Sequence, residues 1–268
     1  MTKFRPCIDL HDGKVKQIVG SSLSDSGVGL KTNFETEKSA AWFAELYKRD
    51  GITGGHVIML GKGNEASAKA ALAAYPGGLQ VGGGINGENA KEYIDAGASH
   101  VIVTSWIFPD GKLSRDRLDS LVQSIGKERL VLDLSCKRCC ANSVQSGAAT
   151  DTSAKPQWNI AINRWQTLID IQINAENLAD LSKYCDEFLV HAADVEGKQQ
   201  GMDDELIQFL AQNSPIPVTY AGGAKSLADL EHCKQISGGK IDLTIGSALD
   251  LFGGKGVKYD DCVKFNKA

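Results

Sequence analysis

The chain has 268 residues, 42% of them hydrophobic and 23% charged, with a formal net charge of −4. That size suits one (β/α)₈ barrel, and the mild acidity gives no reason to expect nucleic acid or an anionic membrane as a partner. No apolar run approaches the roughly 20 residues that span a bilayer, and Phe4–Leu10 reads as a strand where a signal region would lie, so a cytoplasmic protein is expected.

Short β-rich runs alternate with helix-period segments along the whole chain. The predicted strands are Phe4–Leu10, His56–Leu60, Leu79–Val81, His100–Val103, Arg129–Leu134, Phe188–His191, Val218–Tyr220 and Ile241–Ile245. The predicted helices are Glu37–Arg49, Glu65–Ala74, Gly87–Ala96, Ser114–Ser124, Ala175–Cys185, Asp203–Gln212, Ser226–Lys234 and Tyr259–Asn266. Strict alternation implies a parallel sheet, and eight strand–helix pairs favour closure into a barrel over an open doubly wound sheet. The rival should carry a GxGxxG after its first strand, where this chain has His11-Asp12-Gly13. The expectation is an α/β fold, a (β/α)₈ barrel in which residues 1–268 form one domain.

Two additions interrupt the alternation: Lys14–Val19 after the first strand and Gln157–Ile162 after the fifth, each able to pair. Between Lys137 and Pro156 runs a segment rich in Ser, Ala, Thr, Cys and Lys with no periodicity, read as a loop and, at the catalytic end of a barrel, as part of a lid within Lys137–Trp165. The seven cysteines are an odd number, several within predicted elements, which favours free thiols over a disulfide framework. Cys136 and Cys139 have a CxxC spacing, but no second pair or nearby histidine accompanies them, so a loop with free thiols and no metal is expected.

The two halves of the chain repeat. Asp9 sits late in the first strand and Asp133 at the matching place in the fifth. Glycines follow the third strand at Gly82–Gly84 and the seventh at Gly222–Gly223, while Thr104-Ser105 and Gly246-Ser247 end the fourth and eighth. A doubled four-strand unit therefore carries each element twice. Glycines after a barrel strand let backbone N–H groups approach an anion, and the loops after strands seven and eight are the usual phosphate site of such barrels. Finding the pattern twice predicts a substrate with a phosphate at each end, lying across the mouth between Asp9 and Asp133.

An aspartate at the end of an apolar strand must be paired or functional. Two at symmetry-related strand ends point to proton transfer by two carboxylates, one acid and one base, with no cofactor. No Ser–His–Asp set is legible, and Lys62 reads as a solvated loop residue. Trp158 and Trp165 flank the second addition, one of them core and one able to stack on a base or sugar; Trp42 and Trp106 read as packing residues. His191 and Asp194 after the sixth strand could orient a substrate.

At these residues the chain resembles phosphoribosylformimino-5-aminoimidazole carboxamide ribotide isomerase, the histidine-pathway barrel, in its fungal and plant-type form. The resemblance covers essentially the whole length through CIDLHDGKVKQIVG (Cys7–Gly20), QVGGGIN (Gln80–Asn86), VIVTSWIF (Val101–Phe108), LVLDLSC (Leu130–Cys136), NRWQTL (Asn163–Leu168), FLVHAADVEG (Phe188–Gly197), YAGGAKS (Tyr220–Ser226) and DLTIGSALDLFGG (Asp242–Gly254). It implies an Amadori rearrangement of an aminoaldose to an aminoketose, with Asp9 as base and Asp133 as acid. It also implies phosphate loops at Gly83, Gly84, Thr104 and Ser105 and at Gly222, Gly223, Gly246 and Ser247, stacking by Trp165, and a monomer. Bacterial members carry Thr where this chain has Ala192, and the 137–156 segment is longer than usual. The sister barrel, the cyclase subunit of imidazole glycerol phosphate synthase, shares the aspartates and the doubled phosphate sites but usually has Lys where this chain has Gln17. A phosphate-binding barrel without catalysis is the third reading, set against by the presence of both aspartates.

Overall fold

A computed structural model describes residues 1–18, 32–139, 156–196 and 201–268. Fourteen strands are present among them: β1 (Phe4–Arg5), β2 (Cys7–His11), β3 (Lys14–Ile18), β4 (Thr32–Thr36), β5 (Gly55–Met59), β6 (Leu79–Gly82), β7 (His100–Val103), β8 (Leu130–Asp133), β9 (Cys136–Cys139), β10 (Gln157–Ile162), β11 (Thr167–Gln172), β12 (Glu187–His191), β13 (Val218–Ala221) and β14 (Ile241–Thr244). Pro6 divides the first barrel strand into β1, which pairs with β14, and β2, which pairs with β5. Every other neighbour in the series β5, β6, β7, β8, β12, β13 and β14 is parallel, so eight strands close into the barrel expected from the alternation.

Helices α1 (Ala40–Asp50), α2 (Glu65–Ala74), α3 (Ala90–Asp95), α4 (Arg115–Ile125), α5 (Ala175–Leu181), α6 (Asp204–Asn213), α7 (Leu227–Ser237) and α8 (Tyr259–Lys267) alternate with those strands. Several begin later than their periodicity predicts, because a side chain takes the first free N–H groups. Ser39 accepts from the Trp42 amide to start α1, and Asp203 accepts from Leu206 to start α6. In the predicted Gly87–Ala96 helix, the Asn86 side chain binds the Glu88 and Asn89 amides, and the turn it makes delays α3 to Ala90. No helix among the described residues is long and apolar enough to cross a membrane.

Both predicted additions form strands, and three partners escaped the sequence reading. Asp12-Gly13, both with positive φ, turns β2 back into antiparallel β3, and β4 pairs on its far side. β10 lies between β9 and β11 in a separate antiparallel sheet. The expected Cys136–Cys139 loop is therefore strand β9, with Cys136 buried and Cys139 half-buried, both as free thiols. Most of the expected lid, residues 140–155, lies outside the described residues, and so does Cys140.

Inward-facing side chains fill the barrel in layers. Nearest the strand N-termini, buried Glu187 accepts from Gln80 Nε2 at 2.9 Å and from Thr219 Oγ1 at 2.5 Å. Above it Ile102, Val131, Leu189 and Ala221 form an apolar layer with Ile58 packed against them. That layer separates the polar floor from the mouth. Glu187→Ala leaves Gln80 and Thr219 unpaired in a dry interior, and is expected to cost roughly 2–4 kcal/mol of stability; urea unfolding of the purified variant checks it.

Candidate active site

Asp9 lies within β2 and Asp133 ends β8, on opposite sides of the closed sheet, and both open into one cavity of about 700 Å³ at the C-terminal ends of the strands. That volume suits a small-molecule ligand. Gly83, Gly84, Thr104 and Ser105 line one side of it, together with Trp165 and His191. Gly222, Gly223 and Gly246 line an adjoining cavity of about 50 Å³, and Ser247, Asp9, Gln17, His191 and Glu196 face both. The sequence-predicted residues are thus brought together with one exception. Asp194 is exposed and accepts the Arg138 amide of β9 at 2.8 Å, so it braces the accessory sheet instead of facing the cavity.

The two aspartates have unlike surroundings. Asp133 is 8% exposed. Its Oδ1 accepts from Ser135 Oγ at 2.8 Å and lies 3.3 Å from His191 Nδ1, and its Oδ2 accepts from Thr104 Oγ1 at 3.3 Å. Asp9 accepts from Gln17 Nε2 at 2.9 Å. Burial pushes the Asp9 carboxyl up to about 7, with the nearby Glu196 carboxylate adding to it and His191 and Gln17 working against it. Burial alone would lower His191, but the Asp133 carboxylate outweighs it and raises the imidazole to about 9. His56, whose ring meets that of His191 edge-on at 6.1 Å, is pushed down to about 3 by burial and by the His191 charge, and is neutral.

Cys7 Sγ, an Asp9 oxygen and a His56 nitrogen lie within 4.8 Å of one another, a donor set that chain positions do not reveal. Gln17 Nε2 donates into it, to Asp9 and to Cys7 Sγ at 3.5 Å, so a cation there would face an N–H. Burial also holds the Cys7 thiol well above its ordinary range. The set is a hydrogen-bonded cluster of largely neutral groups.

Both glycine pairs adopt left-handed backbone: Gly83 and Gly84 at φ 92° and 80°, Gly222 and Gly223 at 133° and 76°. Glycine takes such φ values at little cost, and without a Cβ it lets a ligand approach the backbone closely. Thr104 and Ser105 are also committed within the protein, Thr104 to Asp133 and Ser105 Oγ as acceptor of the Asn163 amide at 3.0 Å. Trp165 stands 5.8 Å from the His191 ring, whereas Trp158 is the core residue of the pair, its Nε1 donating to Asp203. Trp106, expected in packing, lines the cavity with Arg117 over its ring. Lys62 is the exposed loop residue expected, and it stands at the edge of the cavity.

Gln17, His56 and Glu196 are the residues that sequence reasoning missed. Gln17 had a signal, the period-2 burial that also places Val15 inward on β3. His56 shares an inward face with Ile58, but a lone strand histidine does not announce a neighbour in another strand.

The model of the histidine biosynthesis protein family matches residues 3–256. Three relatives are named 1-(5-phosphoribosyl)-5-((5-phosphoribosylamino)methylideneamino) imidazole-4-carboxamide isomerase. The protein from Neurospora crassa is 50% identical over 100% of this chain and 99% of its own length. That from Saccharomyces cerevisiae is 45% identical over 100% and 99%. The Medicago truncatula protein, named as chloroplastic, is 50% identical over 98% of this chain and 81% of its own.

The glycines separate stability from ligand binding. A Cβ on Gly83 would stand 2.1 Å from the Met59 carbonyl oxygen, whereas one on Gly84 meets nothing within 4 Å. Gly83→Ala is therefore expected to disrupt the site, losing about 3 kcal/mol or more, and Gly84→Ala about 1 kcal/mol. Paired thermal melts measure the difference.

Proposed function

The chain belongs to the histidine biosynthesis protein family, and from that membership we propose that it is the isomerase that rearranges the bisphosphorylated phosphoribosylformimino aminoimidazole carboxamide ribonucleotide from aminoaldose to aminoketose. One observation carries the reading to this chain: two carboxylates on opposite strands face a single cavity, with a left-handed glycine pair on each flank. A phosphate on Gly83–Gly84 and Ser105 and another on Gly222–Gly223, Gly246 and Ser247 would hold the sugar between Asp9 and Asp133, with Trp165 and His191 against it.

The rearrangement opens the ribose ring. The bond from C1′ to the ring oxygen breaks with its electron pair going to oxygen, which takes a proton, and the glycosidic nitrogen forms the C1′=N iminium. Removal of the C2′ proton then gives an enolamine, which tautomerises to the ketone. Asp9 is the base, its carboxyl poised near neutrality where a base both stays available and accepts a proton readily. Asp133 supplies the proton to the ring oxygen. The chemistry calls for no cofactor or metal, and full activity is expected after exhaustive chelation. We further propose one barrel domain over residues 1–268, acting as a cytoplasmic monomer without a nucleic-acid or membrane partner; a chloroplastic relative shows that compartment varies within the family.

Incubation with the purified aminoaldose, followed optically without added ammonia, tests the reading. The sister cyclase would need ammonia or a glutaminase partner, and a binding barrel would do nothing. Asp9→Asn and Asp133→Asn are each expected to reduce turnover by roughly 10²–10⁴-fold or more while substrate still binds. Solvent exchange of the C2′ proton should vanish in Asp9→Asn, and its survival at the wild-type rate would remove Asp9 from the base role. Because a raised carboxyl holds its proton below its own value, kcat/KM should fall as pH drops through about 7; rate profiles with Asp9→Glu as comparison read this limb.

A further inference from the structure

The acid has an electrostatic problem. Both oxygens of Asp133 already face donors, Oδ1 the Ser135 hydroxyl and the His191 ring and Oδ2 the Thr104 hydroxyl. An oxygen engaged as an acceptor presents no proton to a ring oxygen. Its neighbour holds one. Resting on the isomerase reading above, we propose that His191 is the positioning residue of the acid: Asp133 and His191 share one proton, which His191 Nδ1 holds at rest and passes to Asp133 as Asp133 protonates the ring oxygen.

The geometry carries this assignment. His191 ends β12, the strand next to β8 in the barrel, and its Nδ1 faces Asp133 Oδ1 across 3.3 Å. Its side chain is 13% exposed, so bulk water competes weakly for the proton. The charged and titratable groups around it are Asp133 on β8, Asp9 on β2, Glu196 beyond β12 and His56 on β5. The three carboxylates favour the imidazolium, and His56 is neutral. Burial opposes the charge, but the imidazole still keeps its proton up to about 9. Each turnover moves one proton from His191 to Asp133 and one from Asp133 to the ring oxygen. Solvent then reprotonates the histidine.

Two measurements test the relay. In pH–rate profiles, wild-type kcat/KM is expected to fall as pH rises through about 9. His191→Gln should lower kcat by roughly 10²-fold and shift that alkaline limb to lower pH. Imidazole ¹⁵N resonances, with the His191 signal identified by its loss in His191→Gln, should titrate near 9 in the wild type and lower in Asp133→Asn, where only Asp9 and Glu196 still oppose burial. If His191→Gln does not fold, loss of the signal in His191→Asn identifies the resonance, and the Asp133→Asn titration decides. A neutral His191 at pH 7, or an unchanged alkaline limb in His191→Gln, would overturn the proposal. A wild type that does not convert the aminoaldose at all would instead overturn the isomerase reading, and the resonance titration would still report where the proton sits.

Discussion

The structure depends on holding two carboxylates inside the closed mouth of one barrel and keeping them different. Buried carboxylates repel each other and resist ionisation. A duplicated half-barrel makes the problem harder, since it places the two aspartates at equivalent strand ends. The difference comes from residues that the repeat does not share. Asp133 receives hydroxyls from Ser135 and Thr104 and an imidazole from His191. Asp9 receives the Gln17 amide, carried on the β2–β3 hairpin, with the Glu196 carboxylate for company. Burial brings the Asp9 carboxyl to about 7, where a base can take a proton readily. Asp133 has His191 against it, and that histidine supplies the proton that the acid role needs in the proposed relay.

The barrel beneath makes those surroundings durable. Ile58, Ile102, Val131, Leu189 and Ala221 form a dry layer under the mouth, so the charges there interact through protein rather than through water. Below that layer, Glu187 satisfies Gln80 and Thr219 in a closed set. Closure at Pro6 also matters. Pro6 offers no N–H, but its carbonyl accepts the His56 amide at 3.0 Å, which ties the strand carrying Cys7 and Asp9 to the strand carrying His56.

Much of the barrel was legible in the sequence because period and position report it directly. Strands buried on both faces read as apolar runs, and Asp9 and Asp133 stood out as acids within them. The repeated glycines were legible because glycine takes the left-handed region at little cost, and both pairs follow equivalent strands. What the sequence withheld were contacts between elements far apart in the chain. His191 meets Asp133 across 58 positions, and Gln17 reaches Asp9 from a hairpin whose third strand, β4, carried no pattern strong enough to read. Asp194 and Glu196 show the limit at its finest. They are two residues apart in one loop, yet one braces β9 and the other faces the cavity, and no local rule distinguishes them. The Lys137–Cys139 stretch misled for a related reason, since β9 owes its pairing to β10 from beyond the 140–155 segment.

The turn at Asn163, Arg164 and Trp165 links these levels. All three residues are left-handed without being glycine, at φ 53°, 56° and 63°. Each such residue costs roughly 1–2 kcal/mol, so three in succession persist only where the surroundings enforce them. The enforcement is visible at both ends: the Asn163 amide donates to Ser105 Oγ, and the Gln166 amide returns to the Asn163 carbonyl at 3.2 Å. The turn delivers the Trp165 indole to within 5.8 Å of the His191 ring, on the cavity side of the histidine–aspartate pair. An apolar ring there excludes water from the imidazolium and strengthens its attraction to Asp133. Ser105 Oγ accepts the Asn163 amide and keeps its own O–H to donate, so one hydroxyl can anchor the turn and still face a phosphate at the proposed site. One short segment thus ties that side of the cavity to the ring beside His191.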